Sequence, residues 1–324
     1  MSPNHPQAKV KAENAHAEGI WSVAWSGSER LITGSLDGSI RLWNSRSLAA
    51  PISCTERLNV GVNSVVATDD GTTVLACYQD SYIRTYDINE ETGALSERIS
   101  EEQKKRTHPD LLSAWSISLS PDDDTYVAGS QNGKITFYSI KEDKAIKKAS
   151  LPKMSHVMST AFNHDGSLVA ATAANGQVCI FDTSVSAEST APITKYVHAF
   201  SAHSMAARSC KFSPDGHLLY TASDDQHVSI FDLRVASNNA NAAVVKSFAC
   251  GSMCLSLDVS PDGRHFTVGC ADGNVSLWDL GMQRREVVYS SHTDQVWCVA
   301  YDRTNAEGKR FVSVGDDAMM QLYE

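Results

Sequence analysis

The sequence predicts an all-β fold, a seven-bladed β-propeller, and three observations carry that prediction: a segment that recurs seven times, hairpin signals between the recurrences, and termini that complement one another. The first copy of the repeat, Leu36-Asp37-Gly38-Ser39-Ile40-Arg41-Leu42-Trp43-Asn44, runs from a turn residue through alternating residues with an apolar centre to an aromatic and an Asp-like residue. Equivalent segments end at Tyr86-Asp87, Tyr138-Ser139, Phe181-Asp182, Phe231-Asp232, Trp278-Asp279 and Tyr323-Glu324. Each aromatic is preceded at a fixed interval by its turn residue: Asp37, Asp80, Asn132, Asn175, Asp225, Asp272 or Asp317. Successive aromatics lie 43 to 52 residues apart, which is room for four short strands per repeat.

Within a repeat, a strand pair joined by a tight turn precedes the aromatic segment, as in Cys210-Lys211-Phe212-Ser213-Pro214-Asp215-Gly216-His217-Leu218. Proline presets φ early in such a turn and glycine accepts positive φ at its end, so Ser-Pro-Asp-Gly is a hairpin signal. It recurs at Ser260 to Gly263, and in weaker form at Ser120 to Asp123 and Asn163 to Gly166. A lone blade cannot cover both of its faces, so the seven are expected to stack as a single domain over residues 1–324. The chain stops at Tyr323-Glu324, at the end of the third strand of the last blade. Lys9 to Glu13 is therefore predicted to supply the missing outer strand and close the ring, leaving no open edge.

Composition narrows the function classes. Hydrophobic residues make up 42% and charged residues 20% of the chain, the usage of an ordinary globular domain. The net charge of −10 argues against a general phosphate-binding surface, so no direct contact with nucleic acid is expected. The eight cysteines are scattered, most of them inside apolar runs, and lack paired metal-ligand spacing, so the pattern reads as small buried hydrophobes in a reducing compartment, with no metal and no cofactor. Neither a signal-type segment nor a long apolar run is present, and the expectation is a soluble, intracellular protein without a membrane partner.

His16, Ser35, Asp37 and Trp43 together resemble a catalytic set. A second set, His203, Ser223, Asp225 and Phe231, repeats their order, and a third keeps His292 and Asp317 but has Gly315 at the serine position. Repetition is expected of scaffolding and not of one active site. These residues are therefore read as hydrogen-bonded ties between the strands of a blade, and the protein as a non-enzyme.

Side chains at the start of each innermost strand ring the mouth of a propeller channel. Aligning the blades puts Trp21, Asn63, Trp115, Met158, Arg208, Leu255 and Trp297 there, three of the six tryptophans among them. The acidic residues Glu18, Asp294 and Asp316 are expected beside them. Trp21, Trp115, Trp297, Asn63, Glu18, Asp294 and Asp316 thus form a candidate partner site across blades 7, 1, 2 and 3. It suits a peptide presenting an Arg and a bulky apolar residue. The competing explanation is that these tryptophans pack between blades.

The motifs Ala15-His16-Ala17-Glu18-Gly19-Ile20-Trp21, Thr33-Gly34-Ser35-Leu36-Asp37, Ala114-Trp115-Ser116-Ile117, Tyr220-Thr221-Ala222-Ser223-Asp224-Asp225, His292-Thr293-Asp294-Gln295-Val296-Trp297 and Val312-Ser313-Val314-Gly315-Asp316-Asp317 resemble the WD-repeat subunit of the superkiller complex. The resemblance runs the full length of the chain. It implies a seven-bladed WD-repeat propeller, monomeric within a hetero-complex, that joins a tetratricopeptide scaffold and an RNA helicase in feeding messenger RNA to the cytoplasmic exosome for 3′ to 5′ decay. It further implies a nuclear role in the Paf transcription-elongation complex, a part in meiotic recombination in fungi, and capture of a Gln-Arg motif at the channel mouth. Blade 4 departs from the pattern, with Ala173 and Ala174 replacing polar residues. The rival reading is a substrate receptor of a cullin-type ubiquitin ligase, suggested by Phe231-Asp232-Leu233-Arg234.

Overall fold

The structure is a computed structural model and describes residues 5–80, 82–98, 114–142, 144–183, 196–235, 244–305 and 307–324. Among these residues there are seven four-stranded sheets and no helix, the blades of an all-β propeller. Blade 1 is typical: Ile20–Ser26, Arg30–Ser35, Ile40–Asn44 and Ser53–Cys54 pair in chain order. Two compact units make up the chain. Met1–Gln79, Ile83–Ile99 and Leu255–Glu324 hold blades 1, 2, 6 and 7, and Asp80–Tyr82 with Ser100–Cys254 holds blades 3, 4 and 5.

Period-two alternation explains how each blade serves two cores. In the strand Arg30–Ser35, Leu31 faces a cluster shared with blade 7 (Val312, Val314, Met320, Leu322), whereas Ile32 faces one shared with blade 2 (Val62, Val65, Val74, Ala76). Their cross-strand partners follow them, Trp43 opposite Leu31 into the first cluster and Leu42 opposite Ile32 into the second. Unit 2 does the same: Val169 and Ala171 join the core with blade 3, and Ala170 joins the core with blade 5.

The first strand, Ala8–Ala12, pairs antiparallel with Met320–Tyr323 and completes blade 7, one residue ahead of the predicted span. Gln7 and Glu324 extend the pairing by exchanging backbone hydrogen bonds of 2.7 and 2.9 Å. The Ser-Pro-Asp-Gly turns form as read, with Gly216 and Gly263 at φ of 71° and 69° and each amide donating to the turn serine's carbonyl at 2.9 Å. Asp123 takes the same left-handed conformation, φ 55°, where the weaker signal lacks glycine.

All eight cysteines are free, and six are buried. Burial pushes the Cys179 thiol up to about 12 and the Cys210 thiol to about 11, so both are inert as nucleophiles near neutral pH. Cys298 is half-buried, and Cys54, at the end of blade 1's short outer strand, departs from the expected burial and is exposed.

Candidate protein-docking site

The polar ties set the loops that carry the candidate site. His16 lies in the loop leading into blade 1, its Nδ1 3.3 Å from both Asp37 oxygens and its Nε2 2.7 Å from Thr33 Oγ1. Trp43 Nε1 donates to the same Thr33 oxygen at 2.9 Å. The carboxylate can only accept, so the network assigns the proton to Nδ1, and the relay runs from Trp43 through Thr33 and His16 to Asp37. Burial holds the His16 imidazole below its usual value even against the neighbouring carboxylate, so it is neutral at pH 7. Burial alone would raise the Asp37 carboxyl; hydrogen bonds from His16, Ser39 and the Ala17 and Ser39 amides outweigh it and hold the group well below the carboxylate range.

The serine assigned to this relay from the sequence is corrected. The hydroxyl is Thr33 and not Ser35, Thr221 and not Ser223 in blade 5, and Ser313 in blade 7, where Gly315 therefore leaves no gap. Position i and position i+2 of a strand share a face, so either hydroxyl fits the pattern. The imidazole, pinned by its Asp, reaches past the strand end to the deeper one. Ser35 and Ser223 instead brace the turn, their hydroxyls accepting from the Asp37 and Asp225 amides at 3.1 Å. His203 meets Asp225 at 3.0 Å and Thr221 at 2.8 Å, and His292 meets Asp317 at 3.0 Å and Ser313 at 2.7 Å. Tyr323 Oη, 3.2 Å from Ser313, takes the place of the tryptophan N–H in blade 7, while Phe231 in blade 5 offers no donor.

Six of the seven predicted ring positions share one backbone feature. The register of six of the inner strands against their neighbours jumps, between Ile20 and Ser22, Val62 and Ser64, Ala114 and Ser116, Val157 and Ser159, Ala207 and Ser209, and Val296 and Cys298. Trp21, Asn63, Trp115, Met158, Arg208 and Trp297 are the skipped residues, each on a β-bulge that re-aims its side chain. Their exposure differs. Asn63, Met158 and Leu255 are buried, so Asn63 is not the accessible contact expected of it. Trp21, Trp115, Arg208 and Trp297 are half-buried.

Trp21 and Trp297, from blades 1 and 7, meet with ring centroids 5.0 Å apart and planes at 34°. Trp21 Nε1 donates to Asp316 Oδ1 at 3.0 Å. Asp316 sits in the last hairpin of blade 7, and its amide donates to the Gln295 carbonyl at 2.9 Å. Glycine at 19 is required for this corner, because a Cβ there would stand 2.5 Å from Asp316 Oδ1. Glu18 and Asp294, the neighbours of Gly19 and Gln295 in the chain, are both exposed. Of the three acidic residues Asp316 thus touches the indole pair, and Glu18 and Asp294 lie in the adjoining chain segments. Part of the packing explanation holds too: the two rings cover each other, and one oxygen of Asp316 is spent on Trp21. Its other oxygen carries no hydrogen bond among the described residues.

Trp115 belongs to unit 2, where its ring stands edge-on to His156 at 5.1 Å. Burial, and then the charge of Arg208, hold the His156 imidazole below its usual value. Arg208 is itself held by Asp224, with Nε 2.9 Å from Oδ1 and Nη2 2.8 Å from Oδ2. Sequence reasoning missed Asp224, although it precedes the turn Asp of its blade as Asp316 does in blade 7.

Six sheets paired in chain order and a seventh completed by the first strand, His–Asp ties in three of the seven and bulged inner-strand starts are the anatomy of one repeat type. Five segments, residues 8–44, 149–182, 194–232, 244–279 and 283–324, match the family described as WD domain, G-beta repeat. The chain belongs to the WD40 family. This WD40 chain is 31% identical over 323 residues to WD repeat-containing protein SL1-17 of Schistosoma mansoni, across 98% of each. It is 29% identical over 271 residues to WD repeat-containing protein VIP3 of Arabidopsis thaliana, covering 78% of this chain and 77% of that one. A shorter match, 35% over 92 residues, links it to Transducin-like enhancer protein 2 of Mus musculus, covering 28% of this chain and 12% of that protein. WD40 propellers generally mediate protein–protein interactions as non-catalytic scaffolds.

Proposed function

We propose that this WD40 propeller is a non-catalytic scaffold of the superkiller complex, shared with the Paf transcription-elongation complex, and that it works in both cytoplasm and nucleus. Its partners there are a tetratricopeptide scaffold and an RNA helicase, and it assists exosome-mediated 3′ to 5′ decay of messenger RNA. The observation that carries the reading is the corner of Trp21, Trp297 and Asp316, two half-buried indoles beside a carboxylate. Exposed Glu18 and Asp294 make its rim acidic. Such a corner suits an Arg-bearing peptide, with the guanidinium on the carboxylates and the apolar stem against the rings. The motif resemblance of the first and last blades points to the same complex.

The rival reading, a cullin-type substrate receptor, rests on Phe231-Asp232-Leu233-Arg234. Arg234 is there held by Asp232 of its own blade through two hydrogen bonds of 2.9 and 2.6 Å, and nothing else in that segment favours a ligase adaptor. Affinity purification of the tagged full-length chain, with mass spectrometry of what it retains, separates the two. A helicase and a tetratricopeptide protein are the expected companions; a ligase adaptor and cullin in their place would overturn the assignment.

A further inference from the structure

Blade 6 carries a cluster that neither the docking face nor the polar ties use. His265 opens the strand His265–Cys270, Asp279 ends the strand Val275–Asp279, and Glu286 lies in the strand Arg284–Tyr289. Register brings the first two together, because His265 pairs directly with Asp279. A bulge brings the third. The ladder passes from Leu277–Val287 to Trp278–Arg285, and the skipped residue is Glu286. One potential ligand atom from each of the three residues lies within 4.8 Å of the others.

The spacing distinguishes this cluster from the His–Asp ties of blades 1, 5 and 7. His16, His203 and His292 stand 3.3, 3.0 and 3.0 Å from their carboxylates, at or close to hydrogen-bond distance. His265 Nε2 is 3.8 Å from Asp279 Oδ2 and 3.5 Å from Glu286 Oε2, too far for a hydrogen bond to either. Ligands about 2.1 Å from a tetrahedral ion are separated from each other by about 3.4 Å. The separations of the two carboxylates from His265, 3.8 and 3.5 Å, are close to that spacing. Asp279 is already oriented for it, since its Oδ1 accepts the Met282 amide at 2.6 Å and leaves Oδ2 facing the histidine. Arg284, the register partner of Asp279, forms no ion pair with it among the described residues. The side chains are 26%, 18% and 22% exposed, so an ion can enter from solvent and keep water on its open side.

We propose that His265, Asp279 and Glu286 bind a divalent first-row transition cation of the zinc type. One imidazole nitrogen and two carboxylate oxygens form a mixed donor set that matches such ions better than the all-oxygen sets of calcium and magnesium. The ion ties the three outer strands of blade 6 together and leaves at least one coordination position to water.

The test uses the full-length chain stripped with chelator and dialysed. Cobalt chloride is titrated while visible absorption is recorded, and zinc chloride while thermal melting is followed. The expected result is one cobalt per chain with tetrahedral-type absorption, and a higher melting temperature with zinc. H265Q and E286Q should each weaken binding at least on the order of tenfold and abolish the zinc-induced shift, with the metal-free melting temperature within a few degrees of wild type. A wild-type chain that takes up neither ion, or an equal response in both variants, overturns the proposal.

Discussion

Deletion of residues 1–14 is expected to destabilise the protein more than any single substitution. The deleted segment provides the fourth strand of blade 7, register-paired from Ala8–Tyr323 to Ala12–Met320. With it go the exchanged bonds of Gln7 and Glu324, the Gln321 Nε2 bond to the Val10 carbonyl at 3.0 Å and the Tyr289 hydroxyl bond to the Pro6 carbonyl at 2.6 Å. At about 1 kcal/mol each, these bonds contribute about 4 kcal/mol. Removing Val10 and Ala12 from the cluster they share with Val312, Val314 and Leu322 costs about 2 kcal/mol more. The sum is of the order of a domain's whole net stability. The remaining strand Met320–Tyr323 would become an open edge, so aggregation should accompany the loss. Differential scanning calorimetry should show a melting temperature lower by roughly 10 °C or an irreversible transition; an unchanged melting curve would rule out a structural role for the strand.

Asp37→Ala is expected to be the most damaging single substitution. Its carboxylate accepts from the Ala17 amide at 3.0 Å and the Ser39 amide at 2.9 Å as well as facing His16, and its side chain is 2% exposed. Alanine takes the acceptor from four donors at once, the His16 imidazole, the Ser39 hydroxyl and the Ala17 and Ser39 amides, and unpins the imidazole, a loss of about 3–5 kcal/mol in chemical denaturation. Thr33→Val, which takes the hydroxyl partner from His16 Nε2 and Trp43 Nε1 and loses a long 3.5 Å contact with the Arg41 carbonyl, should cost about 2 kcal/mol. The same relays make the wild type acid-labile. His16 and His203 have folded values depressed below 6.5 by burial, so the unfolded chain takes up protons first and stability falls as pH drops below 6.5. Asp37, Asp225 and Asp317 are held below 3.8 despite burial by bonds and charge from their histidines and nearby amides. Their contribution is present above 3.8 and is lost as pH falls further, through their folded values. Melting temperature should therefore decline from pH 7 to 5 and again below 4; a maximum near pH 5 would contradict this assignment of charge states.

The fold was legible because its signals are local. A turn residue at a fixed distance before an aromatic, Ser-Pro-Asp-Gly hairpins and period-two alternation each act within a few residues, and the strands follow them. The polar ties were legible only in part. His16, Asp37 and Trp43 are distinguished by type, but Thr33 and Ser35 share a strand face, and the depth reached by the imidazole chooses between them. Alignment of the blades put Trp21 and Trp297 at inner-strand starts, which the structure shows to be bulged, yet it had no means of separating accessible residues from Asn63, which its neighbours bury. It gave Asp316 an acidic role without showing that one oxygen holds the Trp21 indole. His265, Asp279 and Glu286 were invisible for a different reason. They come from three strands, and a ladder register and a bulge unite them where sequence spacing carries no signature.

The corner of Trp21, Trp297 and Asp316 either grips a partner, as we propose, or merely packs blade 7 against blade 1. The most direct measurement compares full-length wild type with the Trp21→Ala, Trp297→Ala double variant in the same affinity purification, with the melting temperature of each recorded alongside. Loss of the co-purifying proteins from a double variant that still melts cooperatively is the predicted result. Undiminished recovery of the same partners by a folded double variant would contradict the proposal and leave the two tryptophans as packing residues.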